Sequence, residues 1–441
     1  MTDSLILIGK SGALAARGAL DVTGQNIANA ATEGYQRRSV ALTEIASSGG
    51  IGLRKDSVLS GVRIDGIARA GSDYLHGEAR RTGSDLARAE AELAVLRQGE
   101  SALEAADVFG ALVGLEARLA ELATDPQNMS LRAATLESAA VLTGAFRIAD
   151  GGLASAARGA RVAVDADLAS LNGFAAELAK TNLALSRTEV GGGNHASLLD
   201  RRDALLASMS ELATLGVTYE ASGAVEVRLG DAVLVTRGDA GTVTAVDSTA
   251  GGLIFAVDGD PAAFAGGSLA GRSLALAEFA GTRGALDALA QRTATLANNA
   301  QAAGVDAGGN SGVPIFTGTF AETLEVALAD PAGLATAPAG SAAGSRDPAN
   351  IAALRSALAD GPLADADALL FSVSNAIAGR EITRDALATL SDSAAASLSN
   401  TVGVDLDVEA ANLLRFQQAF QASSRVIQVA ADIFDTMLGI R

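Results

Sequence analysis

The chain has 441 residues, a formal net charge of −18 and no cysteine. The negative charge argues against a nucleic-acid backbone or an acidic membrane surface as partner, because phosphate binding needs a basic stripe. The absence of cysteine excludes disulfides, thiol nucleophiles and zinc–thiolate sites. Hydrophobic residues make up 49% of the chain but aromatic residues only 3%, so small side chains that favour helices but bury little area dominate.

The N-terminus carries only a short apolar run, Leu5 to Ile8, between Asp3 and Lys10. A secretory signal peptide needs a basic start and a longer apolar core. No segment approaches the roughly 18 consecutive apolar residues of a membrane-spanning helix. Taken alone, these features predict a cytosolic protein without a membrane span.

The first predicted helix has a seam of apolar and small residues at alternating steps of three and four. This spacing is typical of a heptad repeat. The positions are Ile6, Gly9, Ala13, Ala16, Leu20, Thr23, Ile27 and Ala30.

The segment GQNIANAATEGY, residues 24–35, ends this helix. Asn29 lies where the last turn leaves carbonyls unsatisfied, and its amide can bond to one of them. Gly34 suits a turn position that needs a positive φ, with Tyr35 directly after it. We predict that the amides of Gln25 and Asn26 bond to a neighbouring subunit.

The middle of the chain changes periodicity twice. Residues 84–180 predict long helices, and a further helix follows the GGGN loop at 191–194. From about residue 216 to 276 the apolar residues alternate with a period of two, which predicts short strands. Helical spacing then returns, interrupted by a hairpin around VPIFTGTF and a loop at 338–348.

The C-terminal segment has a second heptad seam. Both seams lie at chain ends and contain many small or polar residues. A coiled coil formed by one such pairing alone would be only marginally stable. We hypothesise that the two ends pair with each other and then pack laterally against other subunits. The C-terminal positions are Leu406, Ala410, Leu413, Gln417, Phe420, Ser424, Ile427, Ala431, Phe434 and Leu438.

The sequence contains no recognisable catalytic, cofactor or metal motif. The histidines, His76 and His195, lack a second ligand at metal spacing, and we interpret His195 as a solvent-exposed loop residue. The DRRD cluster at 200–203 predicts local ion pairs on a helix surface. We therefore predict no catalytic residues, no cofactor, no metal site and no enzymatic activity.

These patterns predict an α+β fold that is mainly helical. It would comprise a terminal coiled-coil domain, a helical bundle built from both chain halves, and a small inserted β-rich outer domain. The predicted ranges are 1–45 for the N-terminal helix and turn, 46–215 for the first half of the helical domain, 216–280 for the β-rich domain, 281–380 for the second helical half, and 381–441 for the C-terminal helix.

Both ends of the chain resemble the bacterial flagellar axial proteins. The segment LDVTGQNIANAATEGYQRR, residues 20–38, is similar to their N-terminal signature. Residues 399–440, with the helix-to-strand segment 198–231 and the GVPIFTG hairpin, resemble the hook-associated members of that family. Two features depart from it: Glu33 stands where the family often has proline, and the chain is shorter than many members.

The resemblance implies a structural subunit at the hook–filament junction, exported without a cleaved signal peptide by the flagellar type III apparatus. An extracellular location in the flagellum then replaces the cytosolic one. Implied partners are the hook protein, hook-associated protein 3, further copies of the chain in a ring, and an export chaperone.

The alternatives are a hook or rod subunit and, from a different class, an exported enzyme acting on the cell wall. The residues expected at the assembly interface are Leu14, Leu20, Gln25, Asn26, Ile27, Asn29, Gly34, Tyr35, Leu413, Phe416, Phe420, Ile427, Phe434 and Leu438.

Overall fold

The computed structural model describes residues 2–32, 34–46 and 59–439. Most of them are helical, and the long helices follow the small, strongly helix-forming residues of the sequence. The α-helices are α1 (Thr2–Ala28), α2 (Asp73–Ala106), α3 (Val108–Thr124), α4 (Met129–Arg187), α5 (Gly193–Leu212), α6 (Gly267–Ala302), α7 (Ala349–Leu358), α8 (Ala364–Val402) and α9 (Leu406–Gly439). A 3-10 helix (Pro331–Gly333) and a π-helix (Ala359–Leu363) complete them.

The strands are short and form small antiparallel sheets. They are β1 (Arg38–Ala46), β2 (Leu59–Arg69), β3 (Gly216–Tyr219), β4 (Val225–Leu229), β5 (Ala232–Val235), β6 (Val243–Asp247), β7 (Leu253–Val257), β8 (Asp260–Ala262), β9 (Gly304–Val305), β10 (Phe316–Thr317), β11 (Glu325–Val326) and β12 (Ala337–Pro338). The sheets have the orders β1-β2, β3-β4-β5, β6-β7-β8, β12-β9 and β10-β11. This architecture confirms the predicted mainly helical α+β class.

The chain divides into two compact units. Unit 1 comprises Met1–Ser84, Ser170–Val243 and Ala388–Arg441, and unit 2 comprises Asp85–Ala169 and Thr244–Leu387. The predicted β-rich range 216–280 is split between them, because β3, β4 and β5 lie in unit 1 whereas β7 and β8 lie in unit 2. Alternating periodicity identifies strands but carries no information on which helix each small sheet packs against. The five-part division into domains stays a prediction.

In unit 1, the β1–β2 hairpin packs on α1. The register pairs Val40 with Ile67 and Thr43 with Arg63. The backbone N–H of Val62 donates to Ser11 Oγ over 3.2 Å. The hairpin thereby holds one face of α1 and leaves other faces to different partners.

Unit 2 is built around a continuous apolar core. Leu112 and Leu115 of α3, Phe146 of α4 and Leu289 of α6 are members of this cluster. Burial of leucine and phenylalanine side chains gives this unit its hydrophobic stabilisation, at about 1.5–3 kcal/mol per fully buried side chain.

Candidate assembly interface

The two terminal helices pack directly on each other. A Cβ atom added at Gly9 would lie 2.8 Å from Ile427 Cγ1 and 3.1 Å from the carbonyl oxygen of Ser423. One added at Gly12 would lie 2.7 Å from Ser423 Oγ. α1 and α9 therefore run in opposite directions, and glycine lets their backbones approach closely. The pairing of the two chain ends, inferred from their seams, is confirmed.

The α1–α9 pair leaves many large apolar side chains exposed. Leu14 on α1 is 55% exposed and Leu414 on α9 is 59% exposed. Apolar patches of this kind mark interaction surfaces rather than free solvent faces. We call this set the terminal apolar surface: Leu5, Leu7, Ile8, Leu14 and Ile27 on α1, and Leu406, Val408, Leu414, Phe420, Val426, Val429, Ile433 and Phe434 on α9.

The structure places the apolar residues expected at the assembly interface in three groups. Leu20, Leu413, Phe416 and Ile427 are partly buried within the chain. Leu14, Ile27, Phe420 and Phe434 are exposed, and of Leu438 the structure describes the helical backbone but not the side chain. Contact of these residues with another subunit stays a prediction.

The buried face of α1 differs from the predicted seam. Ala15, Ala19, Val22 and Asn26 are buried, although none of them was assigned to the heptad. The reason is that α1 packs against both α9 and the hairpin, so its buried face is wider than one coiled-coil stripe.

Asn26 joins the end of α1 to the start of β1. Its Nδ2 donates to the carbonyl oxygen of Arg38 over 2.8 Å, and its Oδ1 accepts from the backbone N–H of Arg38 over 3.0 Å. The hydroxyl of Tyr35 also donates to Asn26 Oδ1, over 2.8 Å. Asn26 is 1% exposed, so the prediction that its amide bonds to a neighbouring subunit is wrong. Its polar atoms are used inside the chain.

The turn after α1 follows the sequence prediction more closely. Asn29 Nδ2 donates to the carbonyl oxygen of Gln25 over 2.9 Å, so its amide bonds to a carbonyl of the last turn as predicted. That carbonyl also accepts the backbone N–H of Asn29, over 3.0 Å, so it is not left unsatisfied without the side chain. Gly34 has φ 76°, which confirms the positive φ, and the Gln25 side chain is exposed. Glu33 lies outside the described residues.

Arg37 joins this turn to the end of α8 and to the start of α9. Its backbone N–H donates to the carbonyl oxygen of Val402 over 2.8 Å, and its Nε donates to Glu409 Oε1 over 3.0 Å. Glu409 is 2% exposed, so this carboxylate is held by the ion pair in a position that excludes water. The sequence analysis missed this pair because 372 positions separate the two residues.

A buried ion cluster lies beside the turn. Arg38 Nη2 donates to Asp200 Oδ2 over 2.7 Å, and Arg69 bonds to both Asp200 and Asp203, over 2.6 and 2.7 Å. Arg202 donates to Asp203 Oδ1 through Nε and Nη2. The prediction of merely local, surface ion pairs for the DRRD segment is therefore wrong, because its carboxylates bind arginines of β1 and β2.

The cluster shifts the pKa values of two of its groups. Burial lowers the pKa of His76, whose Nε2 lies 3.8 Å from Asp203 Oδ2 and 2.8 Å from Gln36 Nε2. Burial raises the pKa of Asp203, but the cations Arg202 and Arg69 outweigh burial and hold that pKa below its usual value. The lowered pKa values favour a neutral imidazole at His76 and an ionised carboxylate at Asp203.

His195 lies in the first turn of α5, and it is 7% exposed. Its Nε2 lies 3.0 Å from the carbonyl oxygen of Ser222. The prediction of a solvent-exposed loop histidine is wrong, because the glycines before it start a helix and the β3–β4 turn covers the ring.

Within the described residues, no group of histidines and carboxylates could hold a metal ion. Nor does any described helix combine the length and apolar character needed to cross a membrane.

Three family models match the chain in the order expected from its architecture. Residues 101–316 match the helical domain of the flagellar hook-associated protein FlgK. Residues 6–36 match the flagella basal body rod protein, and residues 398–440 match the C-terminal region of the flagellar basal body rod FlgEFG proteins. The two terminal matches contain most of the α1–α9 pair.

Curated relatives include flagellar hook-associated protein 1 of Salmonella typhimurium, 25% identical over 333 residues, which cover 71% of this chain and 59% of that protein. The corresponding protein of Escherichia coli K12 is 24% identical over 332 residues, which cover 71% and 60%. The chain thus spans about three fifths of the length of these relatives.

A solved structure, the flagellar hook junction protein FlgK from Burkholderia pseudomallei, shows a partial likeness. The TM-score is 0.46 at 20% identity, with 56% of this chain and 46% of that chain covered. In the sequence comparisons, the match to the FlgK helical domain lies between matches to the terminal segments of flagellar rod proteins. The chain is thus similar to the FlgK helical domain over residues 101–316, to flagellar rod proteins at both ends, and to hook-associated protein 1 over 71% of its length.

Proposed function

We propose that this chain is a structural subunit of the bacterial flagellum that forms the junction ring between hook and filament. One observation carries the proposal: α1 and α9 pair with each other and still expose the terminal apolar surface. A helix pair with so much uncovered apolar area is stabilised by burial against further subunits, at about 25 cal/mol per Å².

The proposed contacts follow from a position inside an axial assembly. The subunit touches the hook protein on one side, hook-associated protein 3 on the other, and its own copies laterally. Each copy uses one surface to meet the next copy and a different surface to meet the previous one, as a closed ring requires.

We further propose that the chain leaves the cell through the flagellar type III apparatus without a cleaved signal peptide. An export chaperone covers the terminal apolar surface of α9 before secretion, because an uncovered apolar helix promotes aggregation. No catalytic role is part of the proposal, since the polar cluster around Asp200 and Asp203 is occupied by ion pairs within the chain.

Immunogold labelling of isolated flagella tests the location. We expect label in a narrow band between hook and filament. The alternative of a hook or rod subunit is favoured by the rod-protein descriptions of the two terminal matches. Label along the hook or within the basal body would support that alternative and overturn the junction proposal.

A pair of matched variants tests the terminal apolar surface. Leu414→Asp places a charge on α9 at a position that is exposed in the single chain, so folding should be unaffected while incorporation falls at least tenfold. Val246→Asp is the control, because Val246 is equally exposed but lies on β6. Equal incorporation of both variants, measured by immunoblot of isolated hooks, would contradict the role of this surface.

Deletion of residues 406–441 is the stronger form of this test. The truncated chain should be absent from isolated hooks. Cells that carry only the truncated chain and still assemble filaments on their hooks would overturn the proposal.

A further inference from the structure

Unit 2 carries an exposed apolar groove that does not involve the terminal helices. The groove lies between α3 and α4 and has a volume of about 600 Å³. Gly110, Gly114, Val141, Gly144 and Ile148 line its apolar part, and Asp107, Arg118 and Glu137 add charged groups to the lining. More than half of the Val141 and Ile148 side chains is exposed. The same face of α4 continues beyond the groove to Ser155 and the exposed Val162.

The glycines on this face of α4 have no role in packing within the chain. A Cβ atom added at Gly144, Gly151 or Gly159 would meet no atom within 4 Å. Glycine weakens a helix interior relative to alanine, so internal packing does not explain its use here. Glycine between exposed valine and isoleucine side chains instead creates shallow holes between ridges, which is the surface that a second helix packs into.

A matching ridge lies on α8 of the same unit. Phe371 is 71% exposed and Ile382 is 74% exposed. They are eleven residues apart, which is about three helical turns, so they project from one face at a separation of about 16 Å. Between them, Asn375 and Ala378 keep the ridge free of charge.

Two small residues of the α4 face have the same spacing as the ridge. Gly144 and Ser155 are also eleven residues apart, so a parallel alignment places Phe371 over the open Gly144 and Ile382 over Ser155, between Gly151 and Gly159. The same alignment sets Asp385 level with Arg158. Both side chains are exposed, and Asp385 Oδ1 also lies 2.9 Å from Arg384 Nε of its own chain. Apolar fit and opposite charge thus agree in one register.

We propose that the α8 ridge of one copy docks into the α4 face of the next copy, in parallel orientation. The occupant is a second copy because this chain itself displays the complementary ridge on residues distinct from those of the groove. Such a contact is heterologous, so it leaves one free groove and one free ridge at the ends of any chain of copies and closes only in a ring. The inference rests on the proposed self-association and adds a contact in unit 2 to it.

Cysteine cross-linking in assembled flagella tests the contact. The natural chain has no cysteine, so introduced thiols have no background. Chains carrying Gly144→Cys with Phe371→Cys, or Ser155→Cys with Ile382→Cys, should form a ladder of disulfide-linked multimers after oxidation of isolated flagella. Each single variant should remain monomeric on a non-reducing gel.

The mismatched combination, Gly144→Cys with Ile382→Cys, serves as the register control and should give no ladder. A ladder from this combination, or dimers from any single variant, would overturn the parallel head-to-tail contact. In the Ser155→Cys, Ile382→Cys background, Arg158→Asp should lower the cross-linking yield several-fold. Adding Asp385→Arg should restore the yield. A yield that neither change affects would contradict the proposed pairing of Arg158 with Asp385.

The same samples separate this inference from the proposed function. Immunoblots that find the chain in isolated flagella without any ladder from the matched combinations would overturn the contact and leave the junction proposal intact. Absence of the natural chain from those flagella would overturn the junction proposal. In that case the same oxidation on the concentrated purified chain decides the contact, and a lack of multimers there overturns it as well.

Discussion

Four asparagine side chains on helices bind the backbone of a strand in the same way. In each case Nδ2 donates to the carbonyl, and Oδ1 accepts from the N–H, of the same residue on a neighbouring strand or loop. One side-chain amide thereby pairs both the backbone N–H and the carbonyl of that residue, as a neighbouring strand would. The pairs are Asn26 with Arg38, Asn172 with Val243, Asn182 with Val225, and Asn298 with Phe316.

Asn26→Ala should destabilise unit 1 by about 2–4 kcal/mol, because it leaves the backbone of Arg38 and the hydroxyl of Tyr35 without their partner. Asn29→Ala is the matched control and should lower the free energy of unfolding by no more than about 1 kcal/mol, since its bonds are exposed. Denaturant unfolding followed by circular dichroism measures both. Equal losses in the free energy of unfolding would show that the bonds of Asn26 do not stabilise the junction between α1 and β1.

His76 should make the stability of unit 1 depend on pH. Burial lowers its pKa in the folded chain, whereas the unfolded value is about 6.5. As pH falls below about 6.5, the unfolded chain binds a proton that the folded chain does not, so the free energy of unfolding decreases. Protonation would also add a cation beside Arg69 and Arg80.

His76→Gln should flatten this dependence, because glutamine keeps a polar group near Gln36 but does not titrate. The measurement is the denaturant midpoint at pH 7.5 and pH 5.5 for both proteins. An unchanged difference between the two pH values in the variant would assign the effect to other groups.

At the scale of elements, the glycines of α1 serve different purposes. A Cβ atom added at Gly9 or Gly12 would lie within 3 Å of an atom of α9. One added at Gly18 would lie 2.6 Å from Ile64 Cδ1 of β2. Gly24 has no atom within 4 Å of that position. The predicted heptad seam includes only Gly9, and contact with other elements is what distinguishes the four glycines.

Gly9→Ala should weaken the α1–α9 pairing by about 1–2 kcal/mol, because the added methyl group forces Ile427 and the backbone of Ser423 away. Gly24→Ala should be neutral or stabilise by about 0.5–1 kcal/mol through helix propensity alone. Thermal unfolding followed at helical wavelengths tests the pair. Stabilisation by both substitutions would mean that the helices do not pack closely at Gly9.

At the scale of the whole molecule, stability is divided between separate cores. The large apolar cluster around Leu142, Phe146 and Leu153 contains none of the α1 or α9 residues whose side chains the structure describes. The terminal pair is instead held by close glycine contacts, the Arg37–Glu409 ion pair and the hairpin.

Truncation after residue 405 should therefore leave unit 2 folded. Amide hydrogen exchange of Leu142, Phe146 and Leu153 should remain as slow as in the full chain, while amides of α1 should exchange faster without their partner. Loss of protection in the cluster of unit 2 would show that the terminal pair stabilises the entire chain.

Much of the site was predictable from local chemistry. The helix end at Asn29 and the positive φ at Gly34 follow from rules that act within a few residues. The ion cluster was not predictable, because Arg38, Arg69 and Asp203 become neighbours only through the hairpin and α5. The exposure of Ile27 in the single chain was likewise not predictable, because heptad spacing shows that a side chain belongs to a stripe but not which partner covers that stripe.

The sequence by itself determined the helical class, the terminal heptad seams and the family signature, because each depends on spacing along one segment. Only the tertiary structure decided that the strands divide between two units and that Asn26 points inward. It also showed that α1 and α9 carry more large apolar side chains than the single chain buries. The burial of a side chain depends on which other elements pack against it. The periodicity of one segment therefore cannot show how much of its apolar surface a single chain covers.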